Sequence, residues 1–233
     1  MNIDVNPASE AAVLFERIGE HVALVTLNRP QVRNAVNGEI THGMTAALTQ
    51  IESDPSIRVA VLAAAGGKAF CASADLSEVA AGRGKELATE AGGLAGFVKA
   101  ERTKPWIAAV QGMALVGCCE LVLACDMSVA GRSAKFGLPE AKRGLLAAAG
   151  GAFRIARGLP RSLAIQMLTI GDTMNAERAA HFGLINRVVD DAEVVNEAIR
   201  MAQAVAANAP LPVIESLALA RSAHEVTEAL GTA

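Results

Sequence analysis

Four short apolar runs, each cut off by a turn signal, most constrain how this chain can fold. HVALVTL (21–27) stops at Asn28-Arg29-Pro30, RVAVLAAA (58–65) at Gly66-Gly67, WIAAVQG (106–112) at Gly112, and DMSVAG (126–131) at Gly131. Runs of this length, rich in Val, Ile and Ala and closed by Gly or Pro, read as strands. The stretches between them have room for helices. NGEITHGMTAALTQIESD (37–54) places Ile40, Met44, Leu48 and Ile51 on one helical face. Residues 85–102 carry a looser helical pattern rich in Ala and Gly. Strands alternating with helices predict an α/β fold.

From Gly150 onward the pattern turns mostly helical. GGAFRIARGLP leads into RSLAIQMLTIGD, with a stop at Gly171, and NAERAAHFG begins at a capping Asn175 and ends at Gly183. DAEVVNEAIRMAQAVAANAP (191–210) is amphipathic, with Val194, Ala198, Met201 and Val205 on one side, and LPVIESLALARSAHEVTEAL follows. A strand-rich stretch over 11–140 thus gives way to a helix-rich remainder. The expected division is a core over 1–190 and a helical C-terminal region over 191–233 that packs against a neighbouring subunit.

Composition narrows the partners. The 233 residues suit one domain, and 52% hydrophobic against 19% charged residues supports a large core. A net charge of −3 and the absence of a basic block argue against a nucleic-acid partner. The most apolar stretch, Trp106 to Ala124, is interrupted by Gln111 and Glu120 and reads as a buried segment, not a membrane span. The first twenty residues carry acids and no basic region ahead of an apolar run, so neither a secretory nor a transit signal is expected. Cys71, Cys118, Cys119 and Cys125 form no C-x-x-C pair and are expected to be reduced core thiols of a cytosolic protein. His21, His42, His181 and His224 lack metal-ligand spacing, so no metal is expected. With no Tyr and one Trp, neither a tyrosine acid nor a stacking platform for single strands is supported.

A strand, a glycine-containing loop and a helix start recur in VLAAAGGKAFCASADL (61–76) and AAVQGMALVGCCEL (108–121). At a helix start the backbone N–H groups are unpaired and the dipole is positive, so two starts aimed at one spot make an anion hole. Glu120 stands among Cys118, Cys119, Leu121, Val122 and Leu123, where a carboxylate loses solvation or changes its proton affinity. A second acid, Glu140, lies 20 residues on in AKFGLPEAKRG. That separation can return the chain to the same end of a sheet, and two carboxyls there can divide acid and base roles. Equally, with Lys142 and Arg143 beside it, Glu140 can be a solvated loop residue.

TLNRPQVRNAV (26–36), KAFCASADLSEV (68–79), AAVQGMALVGCCELVLACD (108–126) and AKFGLPEAKRGL (134–145), in this order, resemble the enoyl-CoA hydratase (crotonase) family, and the likeness runs from about residue 12 to 220. The resemblance implies a ββα superhelix with a helical C-terminal trimerisation region, assembled as a homotrimer or a dimer of trimers. It implies an acyl-CoA substrate, with coenzyme A as part of the substrate and no further cofactor. The N–H groups of Ala74 and Gly117 would hold the thioester oxyanion. Glu120 and Glu140 match the glutamate pair by which hydratases add water across the 2,3-double bond. Residues Ala72, Ser73, Ala74, Asp75 and Leu76 resemble the segment that holds the adenine and pantetheine arm, and Arg29 and Arg33 could reach the CoA phosphates. An isomerase shifting a 3-enoyl double bond, which can work with one acid, and a non-catalytic acyl-CoA-binding member are the competing readings. The chain departs from the family pattern at Ser73, Val116 and Cys118, where relatives often carry glycine, and it ends at EALGTA, earlier than most relatives.

Overall fold

The computed structural model describes residues 11–230. It opens with a hairpin in which β1 (Val13–Ile18) pairs antiparallel with β2 (Val22–Leu27). β1 lacks a clean apolar run because Glu16 and Arg17 interrupt it, and its residues are mostly half-buried. Helix α1 (Gly38–Ser53) follows, capped by Asn37, whose side chain accepts the Ile40 N–H at 3.0 Å, and it buries Ile40, Met44 and Ile51 completely.

Three successive turns then repeat one plan. β3 (Val59–Ala64) is followed by β4 (Ala69–Cys71) and the short α2 (Leu76–Ala80). After a small hairpin of β5 (Ala88–Thr89) and β6 (Gly93–Leu94), β7 (Trp106–Val110) leads to β8 (Met113–Leu115) and α3 (Gly117–Ala124). β9 (Met127–Gly131) leads to β10 (Lys135–Gly137) and a 3₁₀ turn over Pro139–Arg143. The first strand of each turn joins one sheet and the second strand joins another. Among the described residues, the larger sheet runs β1-β2-β3-β7-β9-β12 and is parallel from β2 onward, and β11-β10-β8-β4 form the smaller sheet. Its members β4, β8 and β10 are mutually parallel, so the chain leaves all three at the same edge.

The strand expected over 106–112 is β7, and the chain turns a corner into β8 at Gly112 (φ 67), where a Cβ would meet the Lys68 carbonyl oxygen at 2.4 Å. Only glycine passes so close to another backbone. The remaining elements are α4 (Gly151–Gly158), α5 (Arg161–Ile170), β11 (Thr173–Asn175), α6 (Ala176–His181), β12 (Arg187–Val189), α7 (Val194–Ala206) and α8 (Pro210–Leu230). Gly171 closes α5 in the left-handed region and Asn175 caps α6. The helix expected over 85–102 does not form. Gly93 and Gly96 take positive φ there, as does Ala95 (φ 55), and Phe97 and Val98 turn into the core against Trp106.

β2, β3 and β7 are buried along their whole length, which is why they read as continuous apolar runs. Alternate residues serve two cores. Ala23, Val25, Leu27, Ala60 and Leu62 face the helices on the side of α1, α3 and α5. Val22, Leu24, Val59, Val61 and Ile107 face α7, which buries Val194, Ala198 and Ala202 on them. The first helix after residue 190 thus closes the second face of the larger sheet. No helix among the described residues is long and apolar enough to cross a membrane.

Candidate active site

The loops leaving β4, β8 and β10 converge because their strands are neighbours in register: Cys71 lies opposite Ala114, and Leu115 opposite Gly137. The first loop is pinned at residues 73–75. Val36 N–H donates to the Ser73 carbonyl and Asp75 N–H to the Val36 carbonyl, both at 2.8 Å. Asp75 caps α2 by accepting the Ser77 N–H at 3.1 Å and hydroxyl at 2.6 Å. The hydroxyl bond leads in holding its carboxyl below the usual carboxylate range, with help from Arg29 at 3.1 Å. The Ala74 N–H, between these anchors, has no acceptor among the described residues.

The second loop turns at Val116, whose φ of 61 and ψ of −134 lie in a region that is normally glycine's. Its own N–H is held by the Gly137 carbonyl at 2.9 Å. α3 starts at once, so the Gly117 amide points out of the helix start. That amide donates to Ser73 Oγ at 3.2 Å. A Cβ on Gly117 would stand 3.9 Å from Glu120 Oε2, which places the first acid one turn from the amide.

Glu120 is 3% exposed and Glu140 5%. Glu120 Oε1 accepts the Gly151 N–H, the start of α4, at 2.8 Å. Glycine at 151 leaves room for this contact, since a Cβ would meet Glu120 Cγ at 2.7 Å and Leu138 at 3.0 Å. Burial pushes the Glu120 carboxyl above the ordinary range, the Gly151 amide opposes this, and the charge of Glu140 adds to the rise. Both Glu140 carboxyl oxygens are buried with no hydrogen-bond partner from another residue, and burial raises this carboxyl as well, opposed only by its own backbone amide. The solvated-loop reading of Glu140 is thereby overturned. Lys142 and Arg143 point outward while the preceding Pro139 and buried Leu138 carry Glu140 inward.

Of the other residues singled out by sequence, Ala72 and Leu76 are exposed and Ser73, Ala74 and Asp75 half-buried. Arg29 bonds the Ala35 carbonyl at 2.7 Å as well as Asp75, which ties it to the loop, whereas Arg33 is exposed in a left-handed turn (φ 55). A separate cleft of about 670 Å³, lined by Glu39, Glu78, Glu86, His42 and Arg83 among others, contains neither Glu120 nor Glu140, and its three carboxylates suit a phosphate-bearing ligand poorly.

The expectation of reduced core thiols is corrected in part. Cys71 and Cys118 are joined by a disulfide, their Cα atoms 5.3 Å apart, while Cys119 and Cys125 are free and pushed up to about 12 by burial. Spacing conceals the pair because 47 residues separate its members. The strand register that sets Cys71 against Ala114 brings the start of α3 over the end of β4. Sequence reasoning also missed Asn34, which is fully buried. Its Oδ1 accepts the Arg29 N–H, and its Nδ2 donates to the carbonyls of Ala65, Ala69 and Phe70 at the base of the first loop. Gly151 was missed as well. Its pairing with Glu120 is a contact across 31 residues that no local pattern signals.

The Gly117 amide at the start of α3, the buried Glu120 one turn further on and the buried Glu140 after β10 thus lie on neighbouring ββα turns. A family model described as enoyl-CoA hydratase/isomerase matches residues 17–229. This chain belongs to the enoyl-CoA hydratase/isomerase family. Among its relatives, a carnitinyl-CoA dehydratase of Proteus mirabilis is 37% identical over 204 residues, covering 87% of this chain and 78% of the relative. The enoyl-CoA hydratase EchA19 of Mycobacterium tuberculosis is 40% identical over 205 residues, covering 86% of this chain and 76% of the relative. A crystal structure of an enoyl-CoA hydratase from Mycobacterium tuberculosis H37Rv superposes with a TM-score of 0.89 at 38% identity, covering 93% of this chain and 84% of that one. The fold is accordingly the crotonase-like ββα superhelix with a helical C-terminal region.

Proposed function

We propose that this enoyl-CoA hydratase/isomerase family member hydrates the 2,3-double bond of a 2-enoyl-CoA to give a 3-hydroxyacyl-CoA. The observation that carries this reading is the unequal pair of buried carboxyls: one is held by the amide of another residue and one has no such partner. An N–H bond favours the charged form and burial without a partner favours the neutral form. Glu120 is therefore the base and Glu140 the acid. Water held by Glu120 loses a proton to it while its oxygen bonds to the β-carbon. The π electrons move toward the thioester, whose oxygen takes up negative charge against the Ala74 and Gly117 N–H groups. Glu140 then delivers its proton to the α-carbon. Transfer of a proton from Glu120 to Glu140, through solvent, restores the starting state. Removing one such amide donor costs about 3 kcal/mol of barrier.

The same site read backwards is a dehydratase, which accommodates the name of the Proteus relative. The adenine and pantetheine arm lies along Ala72–Leu76. Arg33 supplies a free cation for a CoA phosphate, and Arg29 holds Asp75 in place. No cofactor beyond the CoA carried by the substrate takes part. The working form is a trimer or a dimer of trimers in the cytoplasm, without nucleic-acid or membrane partners. The test follows loss of the conjugated-thioester absorbance of crotonoyl-CoA. Loss that disappears in both Glu120→Gln and Glu140→Gln supports hydration. Conversion of a 3-enoyl-CoA that survives one of the two changes replaces it with isomerisation, and CoA binding without turnover replaces it with a binding role.

A further inference from the structure

We propose that Cys71 and Cys118 form a redox-switched pair that closes the oxyanion hole when oxidised and opens it when reduced. The inference rests on the roles given above to Ala74 and Gly117. Cys71 is the last residue of β4, three before Ala74, and Cys118 directly follows Gly117, so the disulfide joins the two loops that present the amides. Ser73 is caught between them. Its N–H donates to Cys118 Sγ at 2.7 Å, and its Oγ takes the Gly117 N–H at 3.2 Å. In the bonded form the amide meant for a thioester oxygen is therefore occupied by a hydroxyl. Ser73 holds this position at φ 72, outside the comfortable range for its side chain, so it is kept there by the surrounding bonds.

Reduction changes the spacing of the two loops. Unbonded heavy atoms rest about 3.5–4 Å apart, so two separate thiols need more room than a bonded pair. The added room falls between β4 and the start of α3, and it draws Ser73 Oγ away from Gly117. The chemistry balances with a peroxide as oxidant. One thiolate attacks the O–O bond and becomes a sulfenic acid, releasing the other oxygen as water after protonation. The second thiolate attacks that sulfur, the S–S bond forms, and the second oxygen leaves as water. A dithiol reverses the step by exchange. Cys71 and Cys118 are 1% and 0% exposed, but Ala72 beside them is exposed, so a small oxidant has one residue layer to cross.

The test uses the whole chain in two batches, one treated with dithiothreitol and one with hydrogen peroxide, their free thiols counted after denaturation. Four thiols in the first and two in the second mark the two states. Each batch is titrated with acetoacetyl-CoA, a 3-ketoacyl thioester that cannot be hydrated, and assayed with crotonoyl-CoA. The reduced state is expected to bind acetoacetyl-CoA at least about tenfold more tightly. Cys118→Ala and Cys71→Ala, which break the bond from opposite sides, are expected to bind equally before and after peroxide. Equal affinity in the two-thiol and four-thiol states overturns the switch, as does a thiol count that neither reagent changes or a failure to bind in either state. If affinity changes with redox state while neither state hydrates crotonoyl-CoA, the switch stands and the hydratase reading falls.

Discussion

Replacing Gly151 with alanine tests how the base is held. The new Cβ would stand 2.7 Å from Glu120 Cγ and 2.9 Å from Oε1, whereas ordinary contact begins at 3.4 Å. The carboxyl must therefore retreat by about 0.5–0.7 Å, because Leu138 at 3.0 Å blocks the other direction and both neighbours are buried. A misplacement of about 1 Å costs about a hundredfold in rate. For this smaller shift the expected loss in kcat/KM is about 10- to 100-fold, or about 1.4–2.7 kcal/mol of barrier, carried by kcat with KM nearly unchanged. Alanine is the better helix former by about 1 kcal/mol, which offsets part of the crowding and keeps Tm within about 4 °C. Steady-state hydration of crotonoyl-CoA and a thermal melt on the same sample settle it. Activity above about half of the parent's would refute the reasoning, since the Gly151–Glu120 contact would then not position the base.

Glu120→Gln and Glu140→Gln are each expected to lower kcat by at least about a hundredfold while the fold persists, checked by activity and circular dichroism. Burial raises both carboxyls above 4.5, so the folded state holds extra protons between that value and the raised ones. The stability they contribute is complete below 4.5 and is lost as pH climbs through the raised values, and Glu140→Gln should flatten the slope of urea midpoint against pH above 4.5. Asn34→Ala leaves three strand-end carbonyls without their donor and should cost about 2–4 kcal/mol in denaturant unfolding. Val116→Gly removes a β-branched residue from a glycine-type backbone conformation and should stabilise by about 1 kcal/mol, read as a Tm rise of about 2–4 °C.

The middle of the larger sheet was legible because β2, β3 and β7 are buried on both faces and leave unbroken apolar runs, whereas the edge strands β1 and β12 carry none. β4, β8 and β10, three residues each, are too short to carry a pattern, and β8 was read as part of the glycine-containing loop before α3. Glu120 stood out because its neighbours are apolar for a whole helix, whereas Glu140 was masked by two outward-facing cations that come after it. Residues 85–102 misled because Ala-rich composition favours helix while Gly93 and Gly96 are spent on positive φ. The disulfide, Asn34 and Gly151 act across gaps of about thirty to fifty residues, distances that only the stacked register of the smaller sheet closes.

The stacking of that sheet also sets an order of assembly during synthesis. The first amide comes with residue 74, the second with 117, the acid with 140 and the anchor of the base with 151. On the roles proposed above, a nascent chain emerging from the ribosome carries both amides and the first carboxyl by residue 120, before the second carboxyl at 140 and the anchor at 151.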